Sequence, residues 1–332
     1  MSEAQRPTQM EFEGMGASEP GALGEEDTDI TAVLGDDDLT RARSNRDDGL
    51  RGEAMREAMT DIANIVSRAS QNKEKLNRTT FKNDFARKDG PKGGCPLLFV
   101  VIHALTTEQV AQNIKVAMEE GADGCFLINH DFDYPQLLPI IRHVRGLFPE
   151  VFLGTNFHTL NGAEAFPILG RLAREGVKID AYWADNACIE HERPAQDQGM
   201  AQKILDTKAS SGWDGLYFGG TAFKNPRNHA KLCRPVPPEA CTHAASIATQ
   251  YMDVVTTSGP DAGQASDDDK MKGMREGCKE TPLAVASSLT AEDLAPLAPS
   301  VDAFLLHASV HADAHTMDAQ KLRALVSRLR AP

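Results

Sequence analysis

From residue 96 onward, short apolar runs alternate with longer amphipathic segments. The runs are rich in β-branched and aromatic residues, whereas the segments between them repeat apolar residues at three- and four-residue steps. This alternation predicts βαβ units and a parallel sheet. The predicted strands are Leu97–Leu105, Gly124–Asn129, Val151–Asn156, Ala181–Ala184, Gly215–Gly219, Asp253–Ser258, Leu283–Ser287 and Ala303–His307. The predicted helices are 106–120, 134–147, 162–175, 194–210, 237–251, 267–279, 291–297 and 317–330.

The predicted helices carry recognisable start and stop residues. Thr106 and Thr290 precede acidic residues, as N-caps do. Gly121, Gly176 and Gly212 follow three of the helices, where glycine commonly ends a helix. Three strands also follow an aspartate at or near their start, namely Asp123, Asp214 and Asp302.

Eight strand–helix units over residues 95–332 match the size of a (β/α)8 TIM barrel, which is typically about 250 residues. A doubly wound open sheet is the alternative. Such a sheet more often has fewer strands, and no turn here carries GxGxxG. We therefore predict an α/β fold of the TIM-barrel class.

The composition changes ahead of the barrel. Residues 1–40 hold eleven acids and one base, so they carry −10 of the chain's net charge of −13. Residues 1–48 have too few large apolar residues to form a core, and we predict a disordered acidic tail. In 49–94, apolar residues from Leu50 to Val66 recur at helical steps ahead of a Gly-rich linker, which predicts one amphipathic helix. That helix packs on the barrel or, alternatively, binds a partner.

The charge and cysteine usage exclude several classes of protein. With 35 Lys+Arg against 48 Asp+Glu, the chain lacks the basic footprint of nucleic-acid binding, and we expect no nucleic-acid or membrane partner. No apolar run is long enough to span a bilayer, and no secretory signal is visible. Six scattered cysteines without CxxC indicate reduced thiols and a cytoplasmic location. Because the tail carries most of the negative charge, the net charge of the chain does not exclude an anionic ligand.

Polar or glycine residues follow each predicted strand. In a TIM barrel the chemistry sits at these carboxyl ends. We therefore predict a ligand pocket there, although Asn and Asp also simply start turns. The candidates, in chain order, are His103, Asn129, His130, Asn156, Asp185, Asn186, Gly220, Ser258, Gly259, Ser287, Ser288, His307 and Ser309.

Three of these residues are candidate catalytic groups. Asp185 follows Tyr182 and Trp183, and a carboxylate walled by aromatic surface can act as acid or base. His103 would be a natural general base near neutral pH if it points inward. His130 begins His130-Asp131-x-Asp133, which could supply a base, hold a divalent metal or form a solvated loop.

Two further groups of residues are candidate ligand sites. His307, His311 and His315 are spaced by four, as on one face of a helix that binds metal. Because His307 ends a strand, we favour a polar mouth and expect neither metal nor cofactor. The basic loop Lys224, Arg227, Lys231 and Arg234 could attract an anionic substrate or be solvated.

Several motifs together resemble the BtpA/SgcQ family of TIM barrels. They are Gly121-Ala122-Asp123-Gly124 with Ile128-Asn129-His130, Gly154-Thr155-Asn156 with Asn161, Asp253–Gly259 with Gly263, and Thr281–Leu283 through Ser287–Thr290. The resemblance covers roughly residues 96–330 and implies a TIM barrel. It implies less about activity, since the family's founding role is photosystem I biogenesis and its other members are presumed enzymes. Related barrels carry glycine after strands seven and eight, where this chain has Ser287-Ser288 and His307-Ala308-Ser309.

The sixth strand has a second, local resemblance. Asp253–Gly259 is similar to the diphosphate-binding loop of type I phosphoribosyltransferases, in which backbone N–H groups and Thr hydroxyls hold a phosphate. Here only one acid is present and Ser258 interrupts Thr-Thr-Gly. We interpret the segment as a barrel strand with a loop that could bind phosphate.

These features lead to two functional hypotheses. The first is an enzyme for a small phosphorylated or nucleoside-like, phosphoribosyl-type ligand, such as a transferase, isomerase or lyase. In it Asp185, His103 and His130 perform acid/base chemistry, Asn129 and Asn156 orient the ligand, and the loops after strands six to eight hold its anion. The second is a non-enzymatic assembly factor that uses the barrel as a scaffold. Both hypotheses allow the protein to form a homo-oligomer.

Overall fold

A computed structural model describes residues 96–223, 236–258, 268–287 and 289–331. Eight parallel strands close into a barrel in sequence order, which confirms the predicted TIM barrel. The strands are β1 Leu97–His103, β2 Gly124–Ile128, β3 Leu153–Asn156, β4 Ala181–Ala184, β5 Leu216–Gly220, β6 Val254–Ser258, β7 Leu283–Ser287 and β8 Ala303–Leu306. The strand β1 closes the barrel by pairing with both β2 and β8.

Eight α-helices follow the strands within the described residues. They are α1 Thr107–Glu119, α2 Tyr134–Leu147, α3 Gly162–Arg174, α4 Gly199–Ser211, α5 Cys241–Ala248, α6 Asp268–Cys278, α7 Ala291–Leu297 and α8 Ala319–Leu329. Thr106 caps α1 by accepting from the Gln109 backbone N–H, and Thr290 forms a capping box with Asp293 at α7. The three predicted glycine stops all adopt a positive φ of 79–86°, which suits glycine best.

Two predicted helices differ from the structure. The predicted helix 194–210 begins later, at Gly199, because Gln198 holds the preceding loop through both the N–H and the carbonyl of Glu190. The predicted helix 237–251 is a 3-10 turn, Pro238–Ala240, followed by the shorter α5. Prolines at 237 and 238 remove backbone donors at that start.

Aromatic side chains fill the inside of the barrel. Phe99, Phe126 and Phe218 point inward and meet edge to face, with ring centroids 5.2–6.2 Å apart. Gly154 makes room for this cluster, since a Cβ atom there would lie 2.3 Å from the Phe126 ring. The inner core is therefore densely packed around these three rings.

An aspartate lies just ahead of every second strand, at the amino-terminal end of the barrel. We call Asp123, Asp180, Asp253 and Asp302 the basal aspartates. Each accepts a backbone N–H of the preceding strand at 2.8–3.0 Å, from Leu98, Leu153, Tyr217 and Leu283 respectively. Each also pairs with a cation, from Arg330, Arg145, Lys208 and Arg275 respectively, at 2.7–3.1 Å. Asp214, which the sequence grouped with two of them, is exposed instead.

Several sequence predictions lie outside the described residues. These are the acidic tail 1–48, the helix and linker in 49–94, the basic loop from Lys224 to Arg234, and the candidates Gly259 and Ser288. Among the helices of the described part, none has the length and apolar character needed to cross a membrane.

Candidate functional site

The inward faces of several strands continue into polar residues at the carboxyl ends. Side chains alternate along a strand, so the residue two positions beyond an inward one also faces inward. Val101 on β1, Trp183 on β4 and Leu305 on β8 all belong to the inner core. His103, Asp185 and His307 follow them by two positions each. The structure thus aims these three sequence candidates at one mouth.

Asp185 is held by the neighbouring strand. The Asn156 side-chain amide, at the end of β3, donates to a carboxylate oxygen of Asp185 at 3.1 Å. Asn156 is buried and Asp185 is half-buried. Because this hydrogen bond fixes one carboxylate oxygen, the other oxygen keeps a defined direction at the mouth.

Five imidazole rings form a continuous stack across the other side of the mouth. We call His158, His130, His103, His307 and His311, in that order, the histidine row. Successive ring centroids are 4.4, 4.3, 3.5 and 4.2 Å apart, and the planes deviate from parallel by 11–37°. The row joins the ends of β1, β2, β3 and β8. The sequence predicted three of its members as site residues, and the structure brings them together.

Backbone carbonyls fix how the histidines present their nitrogens. The Nδ1 atom of His307 donates to the Val101 carbonyl at 2.9 Å, and that of His311 donates to the His307 carbonyl at 2.7 Å. His315 contacts the His103 carbonyl through Nδ1 and lies 3.5 Å from Asp131 through Nε2. A carbonyl only accepts, so Nδ1 carries the proton in each contact. The Nε2 atoms of neutral His307 and His311 are therefore acceptors.

Burial disfavours the charged forms of His103, His307 and His311. It lowers the pKa of His103 to about 3 together with the neighbouring histidines, His307 first. It likewise lowers the pKa of His311 to about 4 and depresses that of His307. The expectation that His103 would titrate near neutral pH is therefore wrong, because desolvation disfavours the imidazolium. At neutral pH these rings offer neutral hydrogen-bonding groups.

The stack does not have the geometry of a metal site. Two imidazoles on one tetrahedral metal ion, each with a metal–nitrogen bond of about 2.1 Å, have ring centroids about 5 Å apart. The ring centroids of the histidine row are closer together, at 3.5–4.4 Å. Across the described ranges, no three His, Cys, Asp or Glu side chains are grouped in a way that could hold a metal ion. His307, His311 and His315 also flank a 3-10 turn, Ala308–Val310, and do not share an α-helix.

Three candidate ligand-binding residues hold the loops of the site. Asn129 donates to the Phe132 carbonyl and accepts from the His158 backbone N–H, so its amide connects the loops after β2 and β3. Asn186 accepts from the Cys188 N–H in the next turn. A Cβ atom on Gly220 would lie 2.0 Å from the Asp185 carbonyl oxygen, so glycine lets β5 pass beside Asp185.

A lysine that the sequence did not single out reaches the end of β6. Lys270 on α6 donates to the Ser258 carbonyl at 2.7 Å, and its ammonium lies 3.5 Å from the Ser258 hydroxyl. This places a positive charge at the rim where an anion was predicted. Ser287 is the last residue of β7 and Ser309 lies in the 3-10 turn, both half-buried.

Other residues of the site were not among the sequence candidates. His158, a polar residue just beyond the end of the third strand, completes the histidine row. Trp183 and Thr256 sit deeper in the barrel with polar atoms that are buried. The two-residue alternation from Asp185 and Ser258 would have found both.

Comparison with solved structures returns TIM-barrel proteins. Phosphoribosyl anthranilate isomerase from Thermus thermophilus is 18% identical with a TM-score of 0.45, over 70% of this chain and 98% of that one. Orotidine 5′-phosphate decarboxylase from Pyrococcus horikoshii OT3 is 9% identical with a TM-score of 0.49, over 71% and 100%. Type I 3-dehydroquinate dehydratase from Clostridium difficile is 10% identical with a TM-score of 0.49, over 71% and 93%.

The likeness to these three proteins concerns the barrel architecture and extends no further. The chain matches no known protein-family profile and no curated protein. Membership of the BtpA/SgcQ family therefore stays a prediction from the motifs quoted above.

Proposed function

We propose that the protein is an enzyme that performs acid/base chemistry on a small anionic ligand at the carboxyl end of its barrel. The ligand class is a phosphorylated or nucleoside-like compound, and the setting is the cytoplasm. The observation that carries the proposal is the Asn156–Asp185 hydrogen bond of 3.1 Å, at the inward ends of β3 and β4. A half-buried carboxylate fixed in direction is what a general acid or base requires.

The two sides of the mouth take different tasks in this proposal. Asp185 exchanges a proton with the ligand through its carboxylate, which Asn156 orients. The neutral rings of His103 and His307 hydrogen-bond to the ligand without adding charge. The ammonium of Lys270, beside Ser258, attracts the ligand's anionic group.

A ligand screen followed by turnover tests the proposal. Phosphorylated sugars and nucleotides are screened by thermal shift, and each stabilising compound is followed by NMR for conversion. In Asp185→Asn, which keeps the shape of the side chain, we expect conversion to fall at least about 100-fold while the thermal shift persists.

The matched control is Asp197→Asn, because Asp197 is an exposed carboxylate paired with Arg193 at 3.4 Å. It should convert ligand at the wild-type rate. Conversion within about twofold of wild type in Asp185→Asn would remove Asp185 from the chemistry. A screen in which no compound stabilises the protein would remove the ligand class.

A second candidate, the assembly factor, lacks a supporting observation in the described residues. Such a role needs an exposed apolar surface for a partner. In the part of the chain that the structure describes, Leu105 is the large apolar side chain that is exposed, at 47%. One such residue is normal for a protein surface.

A further inference from the structure

Two buried polar groups lie inside the barrel, below Asp185. Trp183 and Thr256 are 8% and 0% exposed, and both belong to strands whose inward face is apolar. The Trp183 indole N–H and the Thr256 hydroxyl have no hydrogen-bond partner among the described residues. A buried donor without a partner costs about 1–3 kcal/mol, so such groups call for an explanation.

The pairing register places both groups in one layer. Trp183 pairs with Phe218, and Phe218 pairs with Val254, so Thr256 lies two residues further along β6. Because the strands of an eight-stranded barrel are tilted, residues at the same height are offset by about one residue from each strand to the next. Alternate strands point their side chains inward at the same height and so form one layer. Trp183 on β4 and Thr256 on β6 therefore face the same level. Asp185 and Ser258 form the level directly above.

The surroundings of this level restrict what it can bind. Phe126 meets the Trp183 indole edge to face at 6.4 Å, and Leu305 and Val254 add further apolar surface. An indole only donates, and a hydroxyl can donate, so together they suit an oxygen or nitrogen acceptor. A charged phosphate or carboxylate would be desolvated there without a cation. The level fits an uncharged acceptor such as a carbonyl group.

We propose that Trp183 and Thr256 form a floor subsite that binds an uncharged hydrogen-bond acceptor, such as a carbonyl oxygen, of the ligand. This rests on the proposed function, because the floor lies beneath Asp185. The anionic end of the ligand then lies at the rim beside Ser258 and Lys270. Binding would satisfy two buried groups at once, so the subsite selects ligands that carry a carbonyl at their inner end.

Two residues of the same types provide matched controls. Trp213 is also buried, and its indole N–H already donates to the Ile179 carbonyl at 2.8 Å. Thr257 adjoins Thr256 on β6, faces the other side, and donates to the Ala222 carbonyl at 3.2 Å. The chain has two tryptophans, so the two indole N–H resonances can be assigned with Trp213→Phe.

The test follows these indole resonances by 15N NMR while acetamide, an uncharged carbonyl probe, is added. We expect a saturable shift of the Trp183 resonance and none of the Trp213 resonance. Thr256→Val should weaken acetamide binding about fivefold, as loss of one hydrogen bond does, whereas Thr257→Val should leave it unchanged. Inorganic phosphate should leave the Trp183 resonance in place.

Three results would overturn the floor subsite. They are no saturable shift of the Trp183 resonance with acetamide, equal affinity in Thr256→Val and wild type, and a saturable shift with phosphate instead. The first would assign the level to bound water. The experiment reads no turnover, so its failure is separate from the failure of Asp185 as an acid or base.

Discussion

The two ends of the barrel differ in whether their buried polar groups have hydrogen-bond partners. At the amino-terminal end, each basal aspartate is 1–10% exposed, accepts a strand N–H and pairs with a cation. At the carboxyl end, the indole of Trp183, the hydroxyl of Thr256 and Nε2 of His311 are buried without a partner in the described residues. The same eight strands therefore carry satisfied ion pairs at one end and polar groups without partners at the other, which matches the general division of TIM barrels into a stabilising end and a functional end.

The difference shows where a change in sequence affects folding and where it affects the ligand. A buried ion pair contributes little net stability but is costly to break from one side, because the other charge then stays buried alone. A group without a partner has no hydrogen bond to lose on substitution, although its packing can still be lost. Three predictions test this contrast, beginning with the largest effect.

The first prediction breaks a basal pair. Asp180 is 7% exposed, pairs with Arg145 at 2.7 Å and accepts the Leu153 N–H. Asp180→Asn removes the carboxylate that pairs directly with the buried Arg145 guanidinium and should lower the free energy of unfolding by about 3–5 kcal/mol. Urea denaturation measures it. Asp197→Asn, at an exposed ion pair, should change it by less than about 1 kcal/mol. If Asp180→Asn also lowered the free energy of unfolding by less than about 1 kcal/mol, this would show that the Asp180 pair does not stabilise the fold.

The second prediction concerns pH and the histidine row. Unfolded histidine has a pKa near 6.5, whereas folded His103 and His311 have values of about 3 and about 4. Between these values the unfolded chain binds more protons, so stability is fully present above pH 6.5 and declines as the pH falls. From pH 8 to pH 5 we expect a loss of about 2 kcal/mol, after discounting for the part-exposed position of His103.

Urea denaturation at several pH values measures this slope. His103→Asn should reduce it, whereas Trp213→Phe, which removes no ionisable group, should leave it unchanged despite a lower overall stability. An identical slope in wild type and His103→Asn would mean that folding does not change the pKa of His103.

The third prediction compares the two tryptophans. Trp213→Phe and Trp183→Phe remove the same ring volume, but only the former leaves a buried carbonyl, that of Ile179, without its donor. We therefore expect Trp213→Phe to cost about 1–2 kcal/mol more than Trp183→Phe in thermal or urea denaturation. Equal costs would mean that the Trp183 indole has a partner in solution as good as the Ile179 carbonyl.

The barrel could be predicted from sequence because its signals are local. Strand and helix periods, the caps at Thr106 and Thr290 and the stop at Gly121 each depend on a few neighbouring residues. The inward direction of Asp185 was equally accessible, since it follows from counting by two along β4. Errors fell at 194–198 and near Pro237, where side-chain contacts and proline override the helical pattern.

The arrangement of the site was less predictable because it depends on distances between loops. Nothing in the spacing of His130, His158 and His311 shows that their rings stack with His103. Lys270 reaches the mouth from a helix, so a search of strand ends misses it. The amide of Asn129 connects two loops, and the side-chain oxygen of Asn186 accepts from the next turn, while the Asn186 side-chain NH2 group has no partner in the described residues.

The basal pairs also differ in how far apart their members lie along the chain. Three of them join residues 27, 35 and 45 positions apart, whereas Asp123 and Arg330 are separated by 207 positions. Closing the longer loop costs about 1.5 kcal/mol more in chain entropy than closing one of 35 residues. Three pairs can therefore form early within single quarters of the barrel. The fourth requires α8 to return to the start of the barrel, so it carries the largest loop-closure cost of the four pairs.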